Sequence, residues 1–327
     1  MQKLFRIVSI LVISIFATAS LSACAAATTE SNEITVVVHD SAVISDALLN
    51  EFKEQTGNTV TIIRGGDAGA MTNKLVLTKD KPIADAVYGI DNTFAGVAVD
   101  NNLIDGELTA INYGDVCMNY DRLWFSKREQ AAPANIAELV EPQFDGLTVV
   151  QNPNTSSSGL SFLAATVAVF GEDGYKQYWQ QLKDNNVKVT AGWEDAYFTD
   201  FSGSSGNGDY PIVLSYSSSP AAEVREDGLS QTEALLDSCY RQTEFAGVLN
   251  KAKNKAGAEE FVQFLLSNSF QSSLAESMYV YPIVEGIALP ESWEQFAPVT
   301  EKPVGGDLDL NANRELWLKE WSDIFAD

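Results

Sequence analysis

Ile34-Thr-Val-Val-Val-His-Asp-Ser41 opens the part of this chain that can fold. Its first five residues are a β-branched, apolar run of the kind that fills a buried parallel strand. Ser45 then stands where it can cap a helix. In that helix Ala47, Leu48 and Phe52 line one face with Leu49 at its edge, and Gly57 ends it. Thr59 to Ile63 is the next strand, Met71 to Leu77 a helical stretch, and Ala84 to Gly89 a strand again. Strand, helix and strand in this rhythm predict a parallel sheet with helices on both faces.

A second unit of the same kind follows. Leu147 to Gln151 reads as a strand and Gly159 to Phe170 as a buried helix, after which Tyr175, Tyr178, Trp179 and Leu182 recur at helical spacing. Val187 to Thr190 and Pro211 to Tyr216 supply further strands. Between them, Ser202-Gly-Ser-Ser-Gly-Asn-Gly208 is expected to be an exposed, flexible loop. Val116 to Tyr120 and Thr243 to Leu249 are candidates for strands that connect the two units. Ala258, Phe261, Val262 and Leu265 then form an apolar helix face, and a last helix, Asn313 to Phe325, carries Leu316, Trp317 and Trp321. The expected class is α/β, long enough for two domains.

The N-terminus sets the compartment. Lys3 and Arg6 precede the apolar run Ile7 to Ala19, and Leu21-Ser-Ala-Cys24 closes it. A charged start, a short apolar core and small residues at the exit make a secretory signal at 1–23, too short to span a bilayer. The residues before Cys24 resemble a bacterial lipobox, which implies a mature chain lipidated on Cys24 and held at the membrane on the extracytoplasmic side. Residues 24–32 are small and polar and read as a flexible tether. Lipidation of Cys24 leaves Cys117 and Cys239 as one pair in an oxidising compartment. A disulfide between them is expected, two buried free thiols being the alternative.

The formal net charge of −24 excludes nucleic acid as a partner, because no basic stripe exists to neutralise phosphates. It is compatible with a cationic ligand. Catalysis is hard to build. The single histidine, His39, is followed by Asp40 and Ser41, and neighbours on an extended strand point to opposite faces, so these three make no relay. Gly203-Ser-Ser-Gly206 lacks the spacing of a nucleophile elbow, and Gly65-Gly66-Asp67-Ala68-Gly69 departs from both dinucleotide and phosphate-loop patterns. One His and two paired Cys cannot make a Cys/His metal site. The expectation is a protein that is no enzyme and carries no metal or cofactor. The turn at Gly65 still matters, since ligands of open α/β sheets sit beyond the carboxyl ends of strands, and Asp40 and Ser41, just past the first strand, are expected to face the same place.

Several ordered blocks carry a resemblance: Ile34 to Ser41, Asp67 to Lys74, Ala84 to Asn92, Asn112 to Asp115, Gln151 to Leu160, Gly192 to Tyr197, Leu214 to Pro220 and Tyr279 to Pro282. In this order they are similar to the periplasmic thiamine-binding component of bacterial import systems. The resemblance implies a type II periplasmic-binding-protein fold, in which a ligand cleft lies between two lobes. It places the first lobe at 33–115, the second at 116–240, and the return to the first, with the C-terminal helices, at 241–327. It also implies a monomer that delivers its ligand to a membrane permease driven by an ATPase of the ABC type.

For thiamine, a cationic thiazolium joined to an aminopyrimidine, the resemblance puts Asp67 near the cationic or amino part of the ligand. Trp193, Tyr216 and Tyr279 become aromatic walls, with Tyr197 a further candidate. Ser157 and Ser158, at the start of a helix, form either an anion site for the phosphate of a thiamine ester or an ordinary helix cap. The chain departs from the family at His39, where a tyrosine is usual, at Tyr279, where a tryptophan is usual, and near Asp46, where an expected tryptophan has no counterpart. Within the same fold a ferric-ion binder is the nearest rival. It typically uses adjacent tyrosines, whereas Tyr216 is followed by Ser217. A polyamine or phosphonate binder is a further alternative, and a cell-surface enzyme on this scaffold a distant one.

Overall fold

The computed structural model describes residues 32–205 and 208–326. The signal at 1–23, Cys24 and the tether up to residue 31 lie outside the described residues. So do Gly206 and Asn207 of the glycine-rich loop.

The first unit alternates strand and helix as its sequence predicts: β1 (Glu33–Val38), α1 (Asp46–Thr56), β2 (Thr59–Arg64), α2 (Ala68–Thr78), β3 (Ala86–Asp91) and α3 (Ala95–Asp100). Ser45 Oγ caps α1 by accepting from Leu48 N–H, and Leu48 and Phe52 are buried. Ala47 is exposed, contrary to expectation. Strand β1 lies between β2 and β3 in parallel, and its apolar run is buried from both sides.

The chain then enters β4 (Thr109–Asp121), thirteen residues long, and α4 (Arg122–Lys127). The second unit contains β5 (Thr148–Gln151), α5 (Ser157–Asp184), β6 (Lys188–Thr190), β7 (Ile212–Tyr216), α6 (Ser219–Ala222) and β8 (Thr232–Ala234). Strand β9 (Tyr240–Val248) returns, followed by α7 (Lys255–Phe264), α8 (Asn268–Met278), β10 (Tyr281–Pro282), α9 (Glu291–Phe296) and α10 (Leu310–Phe325). Among the described residues ten strands form one curled sheet with the path β2-β1-β3-β9-β4-β7-β5-β6.

Strands β4 and β9 join the two halves of that sheet. Thr109 to Val116 of β4 pair antiparallel with β9, and Val116 to Tyr120 pair antiparallel with β7. One strand therefore belongs to both halves, and β9 links it back to β3. These are the strands proposed from sequence as connections. Cys117 on β4 is bonded to Cys239, which directly precedes β9, so the bridge ties the two connecting strands.

Helix α5 is broken at Gly171, whose φ of 76° and ψ of 170° no helical residue adopts, so its two apolar stretches are separate helices, as the sequence reading had them. Two details differ from the sequence expectations. The loop after Ser202 is not wholly exposed. Gly203 and Ser204 are buried, and Ser204 donates to the Tyr197 carbonyl. In α10, Trp317 and Trp321 are buried, but Leu316 is half exposed. This C-terminal helix packs on α5 of the second half, with the Trp321 and Trp179 rings edge to face at 5.9 Å.

Candidate functional site

The carboxyl ends of β1 and β2 and the start of α5 converge on one cavity between the two halves of the sheet. Counted out to the solvent at its mouth, its empty space is about 660 Å³. His39, Ser41, Asp67, Glu244 and Tyr279 line it from the first half of the sheet and its helices. Ser157, Ser158, Trp193, Glu194, Phe198 and Tyr216 line it from the second.

Asp67 joins the two sides. As the residue before α2 it caps that helix through Ala68 N–H, at 2.6 Å. Its carboxylate also accepts from Ser156 Oγ at 3.0 Å, Ser157 N at 3.3 Å and Trp193 N at 2.9 Å, all on the opposite side. Burial raises the Asp67 pKa, against the opposing pull of the Trp193 N–H and the His39 charge. The start of α5, where a helix dipole favours negative charge, thus already faces a carboxylate.

The aromatic walls are held from behind. The Trp193 indole donates to Ser215 Oγ at 2.9 Å and lies 7 % exposed, stacked on Tyr197 with centroids 4.9 Å apart and planes 15° from parallel. The Tyr216 ring stands 6.1 Å from Trp193 and its hydroxyl donates to Gln242 Oε1 at 2.9 Å. Gln242 continues to Asp91 and to Ser157 Oγ, both at 2.6 Å, so a buried amide on β9 ties β3 to the start of α5. Tyr279 ends α8 in the left-handed region, φ 58°, which places its ring 6.5 Å from Trp193. A non-glycine residue there is uncommon, and such strain gathers at functional sites.

Seven of the residues expected at a site line this cavity: Ser41, Asp67, Ser157, Ser158, Trp193, Tyr216 and Tyr279. Two do not. Asp40 turns away to accept from Gly66 N–H at 3.0 Å and borders a neighbouring groove. Tyr197 is fully buried behind Trp193 with its hydroxyl on Glu223 at 2.9 Å, so it supports the wall without facing the cavity. The Ser157 hydroxyl is taken by Gln242, and Ser158 donates to Gln151 Oε1 at 2.9 Å.

The chain from 71 to 300 matches the family model described as bacterial extracellular solute-binding protein. It belongs to that family. This solute-binding protein is 28% identical to the thiamine-binding periplasmic protein of Escherichia coli (strain K12), over 78% of its own length and 80% of the relative's. It is 26% identical to the protein of the same name from Brucella melitensis biotype 1, over 97% and 98%. Among solved structures, one titled periplasmic thiamin binding protein superimposes with a TM-score of 0.76 at 25% identity, covering 89% of this chain and 96% of that one. An apo ferric ion-binding protein A from Pasteurella haemolytica shares the fold, with a TM-score of 0.71 at 18% identity. The fold is the two-lobed type II periplasmic-binding-protein arrangement.

Glu194 and Phe198 line the cavity without having been expected there, and so do two groups that face each other, His39 and Glu244. His39, dismissed as a catalytic base, is 8 % exposed and faces Glu244 at 3.4 Å between Nε2 and Oε1. Glu244, in the middle of β9, belongs to no motif. Its only signal is an acidic residue in the later part of a strand, Gln242-Thr-Glu-Phe-Ala-Gly-Val248, that is otherwise apolar or uncharged.

Proposed function

We propose that this protein captures thiamine, or a closely related thiazolium or aminopyrimidine compound, outside the cell membrane and delivers it to an ABC permease and its ATPase. The observation that carries this reading is the pairing of Asp67, Glu244 and Glu194 with Trp193, Tyr216 and Tyr279 around one cavity. Carboxylates compensate a cation, and each well-placed ring adds about 0.5–2 kcal/mol of cation–π attraction. The names of the relatives above agree with that chemistry. In this reading the lobes divide at 115/116 and 240/241, the chain acts as a monomer, and lipid on Cys24 anchors it.

Free thiamine is favoured over its phosphates. At the start of α5 the Asp67 carboxylate already accepts the Ser157 N–H, and the Ser157 and Ser158 hydroxyls are engaged, so an added phosphate would meet a like charge. The ferric alternative is weaker. Tyr216 is followed by Ser217, so the second of the adjacent tyrosines that such a site would use is missing. No cluster of three His, Cys, Asp or Glu side chains among the described residues is placed to hold a metal.

A thermal-shift panel of thiamine, its mono- and diphosphate, hydroxymethylpyrimidine, polyamines, aminoethylphosphonate and ferric citrate tests the reading. A tight ligand at a thousandfold excess over its Kd stabilises by about 4 kcal/mol. Thiamine is expected to give the largest shift, and Tyr216→Ala to remove it. A shift with ferric citrate or a polyamine and none with any thiamine compound overturns the reading.

A further inference from the structure

If the cavity takes the cationic ligand proposed above, a group beside its carboxylates decides whether that cation is accepted. His39 and Glu244 face each other across one edge of the cavity. One Glu244 oxygen, Oε2, accepts from Asn112 Nδ2 at 2.9 Å, and the same Asn112 nitrogen donates to the Tyr88 hydroxyl at 2.6 Å. That leaves Oε1 turned to the His39 edge. His39 Nε2 is buried and has no well-formed hydrogen bond among the described residues. The ring lies close against Gly89, where an added Cβ would fall 2.0 Å from His39 Cδ2.

We propose that His39 is a specificity-determining residue. As a neutral imidazole it leaves Glu244 to a cationic ligand, and as an imidazolium it takes Glu244 for itself and excludes that ligand. A protonated His39 is a built-in competitor placed 3.4 Å from the carboxylate.

Other charged and titratable groups reach the imidazole from each neighbouring element. Tyr88 of β3 lies 6.1 Å away, edge to face. Glu244 faces it from β9, Asp67 from the turn before α2, and Asp40 from the next position in the chain. The Arg64 guanidinium of β2 is spent on the main-chain carbonyls of His39, Asp40 and Ala42. Tyr216 and Tyr279 share the cavity as protonated phenols. Burial favours the neutral imidazole, but Glu244 and then Asp67 and Asp40 outweigh it, so the His39 pKa lies above its ordinary value. Burial likewise opposes ionised Glu244, and the His39 charge more than compensates, lowering its pKa. In the empty cavity the two form an ion pair at mildly acid pH. A bound cation takes the place of the imidazolium charge and reverses the balance.

The single histidine makes a direct test possible, because the imidazole signals of untagged protein need no assignment. His39 is titrated by proton NMR with and without saturating thiamine, and thiamine affinity is followed by calorimetry over the same pH range. Bound thiamine is expected to lower the His39 pKa by about one unit or more, and by reciprocity affinity falls about tenfold per unit of that shift from alkaline to acid pH. His39→Gln is expected to flatten the profile. An imidazole pKa that does not fall on binding overturns the proposal, as does a pH slope that survives in His39→Gln. Should that variant fail to fold, the wild-type NMR titration decides. If thiamine does not bind even at alkaline pH, the reading of the ligand fails as well. If it binds with the imidazole pKa unmoved, only this inference fails.

Discussion

Asp67 accepts hydrogen bonds from Ser156, Ser157 and Trp193 across the cavity while its carboxylate faces the space between them. Asp67→Asn removes the charge and turns one acceptor into a donor that faces other donors. The expected result is at least a tenfold loss of thiamine affinity and about 1–3 kcal/mol of stability, read by calorimetry and by urea unfolding. Asp91 makes a prediction about pH. Burial, against bonds from Thr93 and Gln242, raises its pKa to about 7, whereas in an unfolded chain it titrates near ~4. Between those values the folded state holds a proton that the unfolded state has released. Stability is therefore lost as pH rises through that window, and the urea midpoint is expected to drop less between pH ~5 and ~8 in Asp91→Asn than in wild type. Asp67 was legible because it sits in a glycine-rich turn after a strand. Glu244 was not, because its role depends on an approach to His39 from some two hundred positions away.

Strand and helix order was legible from periodicity almost throughout the first half, because each element buries one apolar set. What periodicity did not give were the places where a single residue sets an approach distance. Gly159 in the first turn of α5 is one. A Cβ there would stand 2.5 Å from the Gln151 carbonyl oxygen, so Gly159→Ala must push α5 away from β5. Overpacking of this kind costs about 1–3 kcal/mol. Because α5 carries Ser157 and Ser158, the variant is expected to lose stability and thiamine affinity together, in urea unfolding and calorimetry. The segment after Trp193 is another such place. Asp195–Asp200 winds as a π-helical turn, which draws Tyr197 under the Trp193 ring and out of the cavity. Four-residue spacing puts both rings on one face, and of the two it is Tyr197 that is covered.

At the scale of the molecule the two halves share β4 and β9, and the Cys117–Cys239 bond lies where β4 changes partner from β9 to β7. The two cysteines are 122 positions apart, so the bond closes a long loop. Replacing both by serine is expected to lose about 2–5 kcal/mol in urea unfolding, and an unchanged midpoint would remove the bridge from the account. The pairing followed from counting cysteines in an oxidising compartment. The docking of α10 on the second half did not follow from any local pattern, since the apolar face of a helix does not name its partner. The ligand proposed for the acidic, ring-walled cavity is a small organic cation. Isothermal titration of thiamine into the purified protein at mildly alkaline pH tests this most directly. Saturable one-to-one binding that disappears in Tyr216→Ala is expected, and wild-type protein that releases no heat and gains no stability with thiamine would contradict a thiamine site.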